Sequence, residues 1–252
     1  MKGTTMSESP RAYYEALLEL VSVAKGRWRT RDLCLFAAQR GANYSGGLLV
    51  VGRATNGWRD LFRADALTTS EGRENVTAMT FAVDSNEPDP MAWVTRQWSG
   101  SEFRYKTGMS AFWRVVRSTV MALRLATPDD DRWASSVAWT NLYKVAPEDS
   151  NPSDSLANAQ LPSCIDILRA EIDQLEPQRV LFLTGEDWAR PFLESLKVTP
   201  TAILPSLPVE VAGRIKGGPR VVVTPHPQSR VEAPFAREIT RAFTAEDAGL
   251  GN

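Results

Sequence analysis

Four short apolar runs punctuate the chain: Gly47 to Val51, Val137 to Thr140, Val180 to Leu183, and Val221 to Val223. Each is bounded by Gly, Pro or polar residues, and none alternates cleanly between apolar and polar positions. That is the pattern of strands buried on both faces, and hence of a parallel sheet. Helical spacing fills the intervals. With Ser110 as cap, Phe112, Val115, Val116, Thr119, Val120 and Leu123 share one helix face. A second helix is predicted from about Leu161, with Pro162 allowed in its first turn and Ile165, Leu168, Ile172 and Leu175 as its stripe. A third places Trp188, Phe192 and Leu196 on one side, and a last carries Phe235, Ile239, Ala242 and Phe243. After Ser9-Pro10, Tyr13, Leu17 and Leu20 predict an N-terminal helix packed over the sheet. The stretch Thr69 to Pro90 holds turn signals (TTSEGREN, DSNEPDP) but little periodicity, so an elaborated loop is expected near 69–90.

Strand alternating with helix predicts an α/β protein: a three-layer α/β/α sandwich around a central, mainly parallel four-stranded sheet. A single domain over residues 1–252, with an N-terminal helical extension, is the expected organisation.

Composition narrows the chemistry more than the fold. Hydrophobic residues at 43% and charged residues at 23% are ordinary for a globular chain of 252 residues. A net charge of −1 supplies no global field toward nucleic acid or anionic membrane, so any polyanion site must be a local patch. Cys34 and Cys164 form no C-x-x-C and suit a reducing compartment. The opening MKGTTMSESPR lacks the apolar core of a signal peptide, and no apolar run nears the roughly 18 residues of a membrane span. A cytoplasmic protein without membrane contact is expected.

The one histidine, His226, makes a His/Cys zinc site improbable, and no metal site is expected. No G-x-S-x-G elbow accompanies it, which argues against a serine-hydrolase triad. The glycine signatures of P-loop and Rossmann nucleotide binding are absent too, and two cysteines cannot hold a four-cysteine iron–sulfur cluster.

In open parallel sheets, ligands bind beyond the carboxyl ends of the strands. Those ends read GRATNGW (52–58), NLYKVAPEDSNPS (141–153), GEDW (185–188) and PHPQSR (225–230). If the topology holds, the only histidine, Asn141, Lys144, Glu148, Asp149 and Arg230 collect on one side.

This ordered set resembles the uracil-DNA glycosylase superfamily. There, a first strand ends in a Gly-containing catalytic loop, often G-x-x-P, and a later strand ends in a His-Pro loop. VAWTNLYKVAPEDSNPS looks like the T-N-x-x-K segment and proline-containing loop of the bacterial branches. VVVTPHPQSR is similar to the His-Pro loop, and LFLTGEDW stands where those branches have an L-G strand end. The resemblance runs over about residues 47 to 243.

The resemblance implies that Gly52 opens a water-binding loop, that Asn141 reads the edge of an extruded pyrimidine, and that His226 donates to the O2 side of the leaving base. The chemistry is consistent with this, since negative charge grows on the base as the glycosidic bond breaks and a fixed donor stabilises it. An amide both donates and accepts, so Asn141 can discriminate a pyrimidine edge, and the base must first leave the stack.

The chain departs from the family in its first loop. Where an Asp, Asn or Glu commonly positions water, Arg53 and Ala54 stand, and Thr55 replaces the usual Pro. Asn56 is the first candidate to hold the water, with Thr55 beside it; Asp60 and Asp149 are alternatives. The lack of cluster cysteines sets the chain outside the iron–sulfur branches.

Each feature has a plainer reading. Asn56-Gly57 suits a simple turn, Asn141 could cap a strand end, and His226 before Pro227 could be structural. Trp58 could stack on a base or fill core, and Lys144 could touch phosphate or be a solvated charge. The stretch Trp93 to Arg117 carries Arg96, Arg104, Lys106, Arg114 and Arg117 against Glu102, interleaved with Trp98, Phe103, Tyr105 and Trp113. Basic and aromatic residues together suit DNA, although an amphipathic helix alone would explain Arg114 and Arg117.

The expected function is therefore monofunctional DNA glycosylase. Asn56, His226 and Asp60 form the catalytic set, with Gly52, Thr55, Trp58 and Asn141 at the base and Lys144, Arg104, Lys106 and Arg230 on DNA. No cofactor and no obligate protein partner are implied. Uracil is the family default, and the altered first loop makes a modified pyrimidine a second candidate. The superfamily includes Brig-type phage-defence glycosylases that remove glucosylated hydroxymethylcytosine. The alternatives are a catalytically silent DNA or nucleotide binder on the same fold and, more weakly, a nucleoside hydrolase.

Overall fold

The computed structural model describes residues 31–55, 57–58, 61–82, 88–99, 105–201 and 206–245. The predicted N-terminal helix therefore lies outside the described residues. So do Asn56, Asp60 and Arg104.

All four predicted strands form. They are β3 (Leu49–Ala54), β5 (Ala138–Tyr143), β7 (Arg179–Leu183) and β10 (Arg220–Thr224). Leu49 to Val51, Leu181, Phe182, Val222 and Val223 are almost fully buried, as continuous apolar runs require when both sheet faces are covered. The four are neighbours, and β3 with β7 and β7 with β10 are parallel.

The sheet is larger and less regular than expected. It has seven strands, adding β2 (Gln39–Arg40), β8 (Val198–Pro200) and β9 (Val211–Ile215) in the order β2-β5-β3-β7-β10-β9-β8. The β2–β5, β10–β9 and β9–β8 pairs are antiparallel, so the sheet is mixed. A second sheet of three antiparallel strands joins β1 (Asp32–Leu35), β4 (Leu61–Arg63) and β6 (Val145–Pro147) in the order β4-β1-β6. These added strands are short or interrupted by Gly and Pro, and offer no run long enough to read as a buried strand.

The residues fall into two compact units built from interleaved segments. The first draws on Met1–Ala38, Arg53–Asp84 and Asn141–Gln174, the second on Gln39–Gly52, Ser85–Thr140 and Leu175–Asn252.

The first unit holds the three-stranded sheet, α1 (Ser70–Thr80) and α4 (Asp154–Leu175). Its core is Leu33, Leu35, Phe62, Leu67, Val76, Val145, Leu156 and Ile167, with small residues between. Helix α1 occupies the first half of the span 69–90, where a loop was expected. Thr69 caps it, accepting the Gly72 N–H at 3.0 Å, and only Val76 and Thr77 are buried. A helix that buries one turn leaves almost no periodic signal. Helix α4 begins at Asp154 rather than Leu161, so Pro162 sits in its interior.

The second unit contains α2 (Ala92–Arg96), α3 (Ala111–Ala122), α5 (Glu186–Ser195) and α6 (Ala233–Thr244). Helices α3 and α6 pack on each other, and α6 also touches β10. Trp113 lies edge-on to Trp93 at 5.5 Å, Trp139 at 5.2 Å and Phe112 at 5.0 Å. Ser110 is the N-cap residue of α3, without a side-chain cap bond.

Candidate functional site

The loop after β3 begins later than the sequence suggested. Gly52 is a buried residue inside the strand, which continues to Ala54, so the loop opens at Thr55. Thr55 is 2% exposed, and its Oγ1 accepts from the Cys34 thiol at 3.7 Å. Cys34 also lies 3.4 Å from the Ala146 carbonyl. Gly57 adopts φ +67°, the left-handed conformation that the Asn56-Gly57 dipeptide favours. Trp58 is half-buried with its ring edge-on to Phe36 at 5.1 Å. Thr55 and Trp58 are thus held by β1 and the residue that follows it, inside the first unit.

Asn141 is the fourth residue of β5 and is 1% exposed. Its side-chain Nδ2 is buried and has no hydrogen-bond partner among the described residues. An unsatisfied buried donor costs about 1–3 kcal/mol, and such groups in native proteins call for a specific reason. That amide nitrogen therefore does not cap a backbone carbonyl at the strand. Two residues on, burial raises the Tyr143 phenol above its ordinary pKa, with Cys164 and Asp154 adding to the effect.

Lys144 does not reach a surface. It is fully buried, and its Nζ lies 2.9 and 2.8 Å from the two carboxylate oxygens of Glu171, itself 2% exposed. The expectation that Lys144 binds DNA is corrected accordingly: a cation enclosed by its own counter-ion is not available to phosphate. No sequence signal pairs Lys144, at the bend between β5 and β6, with Glu171 on α4, 27 residues away.

In the second unit, His226 follows β10 and is half-buried. Its ring stacks on Phe112 of α3, with centroids 6.1 Å apart and planes 24° from parallel. Its Nδ1 accepts the Gln228 backbone N–H at 3.3 Å. A neutral imidazole accepting at Nδ1 carries its proton on Nε2. Arg114, one turn of α3 from Ser110, grips Glu232 at the start of α6, Nε to Oε2 at 2.8 Å and Nη2 to Oε1 at 2.5 Å. Its Nη1 donates to the Gly108 carbonyl at 3.0 Å. The hydrogen bond and charge of Arg114 hold the Glu232 carboxyl below its ordinary pKa. Sequence reading placed Phe112 among core positions and passed over Glu232; nothing local in the chain marks either as a support of the His226 loop.

The basic, aromatic stretch divides on inspection. Arg117 lies 5.3 Å over the Trp98 ring and donates to the Pro128 carbonyl at 3.2 Å. Trp98 is edge-on to Trp133, and Trp113 is core. Arg114, Arg117 and these tryptophans are engaged in contacts within the protein. Tyr105 at 50% and Met109 at 75% are exposed around half-buried Lys106, while Arg230 and Val231 are exposed beyond His226.

Among the described residues, no group of His, Cys, Asp or Glu could hold a metal ion, and no helix is long and apolar enough to cross a membrane.

These features define a mixed α/β protein, with Asn141 buried within one strand and His226 just beyond another. The chain belongs to the uracil DNA glycosylase superfamily, whose family model matches residues 94–246, well over half of the chain. Members of that superfamily are in general glycosylases acting on DNA. The match takes in Asn141 and His226 and begins beyond the Gly52–Trp58 loop. No curated protein matches the chain.

Proposed function

We propose that the protein is a monofunctional DNA glycosylase that takes a pyrimidine out of the stack and hydrolyses its N-glycosidic bond. The observation that carries this is the buried, unpartnered amide donor of Asn141 in a chain of glycosylase ancestry. A donor withheld from the protein's own hydrogen bonds is available to an exocyclic oxygen of the flipped base, and its amide oxygen can accept from a ring N–H.

In the reaction, the bond between C1′ and the base nitrogen breaks and the base departs with the electron pair. The Nε2–H of His226 stabilises the charge growing on the base oxygen. Water adds to C1′ and the proton it loses neutralises the departing base anion, leaving an abasic site and free base. Asn56 and Asp60 are the candidates to orient that water, with Thr55 and Trp58 flanking the base. Arg104, Lys106 and Arg230 are the proposed phosphate contacts. Water is the only co-reactant the balance requires.

The base is uracil or a modified pyrimidine, including a hypermodified cytosine of phage DNA, and the setting is the cytoplasm. Arg53 and Ala54, standing where the family usually has a water-positioning side chain, favour a second reading, a DNA binder without turnover.

The test is incubation with uracil-containing DNA and with glucosylated phage DNA, followed by alkali. Strand breaks that disappear in His226→Ala support the glycosylase. Binding with no breaks on either substrate replaces it with the silent binder.

A further inference from the structure

Between β5 and β6 the chain leaves the seven-stranded sheet and enters the three-stranded one, with a bend at Lys144. A strand changing sheets loses ladder partners for several backbone groups. Here one side chain supplies most of them. Gln160, on α4 and 1% exposed, accepts the N–H groups of Lys144 at 3.1 Å and Val145 at 2.9 Å through Oε1. Its Nε2 returns a hydrogen bond to the Val145 carbonyl at 2.8 Å. The Lys144 carbonyl accepts the Phe36 N–H at 2.8 Å. Eleven residues further along α4, Glu171 fixes the Lys144 side chain.

A buried ion pair is an uneconomical way to stabilise a fold. Desolvation of both charges offsets their attraction, and an apolar pair of similar volume is often equally stable or more so. What such a pair supplies is geometry, because only one placement satisfies both charges.

We infer that Gln160 and the Lys144–Glu171 pair are positioning residues for Asn141. They lock the bend three residues downstream of the buried amide, so that its free donor is held in one place before a base arrives. This rests on the base-reading role proposed for Asn141. Preorganisation of a donor is worth most where small displacements lower the rate steeply.

The experiment uses the full chain carrying the double substitution Lys144→Met/Glu171→Leu. Melting temperature, steady-state kinetics on the DNA the wild type cleaves, and the side-chain amide resonance of Asn141 in asparagine-labelled protein are compared. The resonance is assigned by its loss in Asn141→Leu. The expected result is a melting temperature at or above wild type, a displaced or broadened Asn141 amide signal, and kcat/KM reduced about 10- to 100-fold. A folded double variant with an unmoved amide signal and wild-type kinetics overturns the proposal, as does a lowered melting temperature with the signal unmoved. If the double variant does not fold, Gln160→Met is read by the same criteria. If the wild type releases no base from any DNA, the glycosylase reading fails and the amide signal alone decides the positioning role.

Discussion

Arg114 and Glu232 meet side by side, two nitrogens against two oxygens, and thereby tie α3 to the segment that follows the His226 loop. The pair is a third exposed on each side, so it contributes about 1 kcal/mol or less to stability. Because the Glu232 carboxyl is held below its ordinary pKa, this contribution is full above the ordinary carboxylate range. It disappears as the pH falls below that range and through the folded-state value. Glu232→Gln is therefore expected to lower the unfolding free energy by about 1 kcal/mol or less at pH 7 and to match wild type in strongly acidic urea titrations. A deficit that persists unchanged at acid pH would contradict this.

Gln228 and Phe112 both hold His226, the first through a hydrogen bond to Nδ1 and the second by stacking on the ring. His226→Ala is expected to lower kcat by about 100- to 1,000-fold, the range for losing one transition-state donor, with DNA affinity little changed in a gel-shift titration. Phe112→Ala frees the ring without removing it and is expected to lie between wild type and His226→Ala. Equal rates for Phe112→Ala and wild type would show that the stack does not matter.

What was legible in the sequence followed burial. The runs at 47–51, 137–140, 180–183 and 221–223 announced strands because both faces of each are covered, and every one became a neighbour in the larger sheet. The strands β1, β4 and β6 each expose part of a three- or four-residue span or contain proline, so no period could mark them. Asn141 was legible as a polar residue ending an apolar run, although the strand continues past it to Tyr143; its unpartnered donor was not, since that requires knowing what surrounds it. Lys144 was read as surface because lysines usually are, and only the fold brings Glu171 to it.

Gly57 is the residue of the first loop whose backbone demands glycine. Its φ is +67°, and a Cβ would stand 3.4 Å from the Glu148 carbonyl. The contact is tolerable, so the penalty is conformational. Gly57→Ala is expected to cost about 1–2 kcal/mol in urea unfolding. Gly57→Asn should cost less, since asparagine visits the left-handed region more readily. Equal stability of all three proteins would mean that the loop relaxes freely.

The base-reading role of Asn141 is tested by Asn141→Leu. If the buried amide is retained for a flipped base and not for the fold, removing its unpartnered donor relieves a cost of about 1–3 kcal/mol. Asn141→Leu is expected to melt at or a few degrees above wild type, with base release from cleavable DNA reduced about 100-fold or more. A variant that loses stability and activity together, or that keeps full activity, would contradict that role.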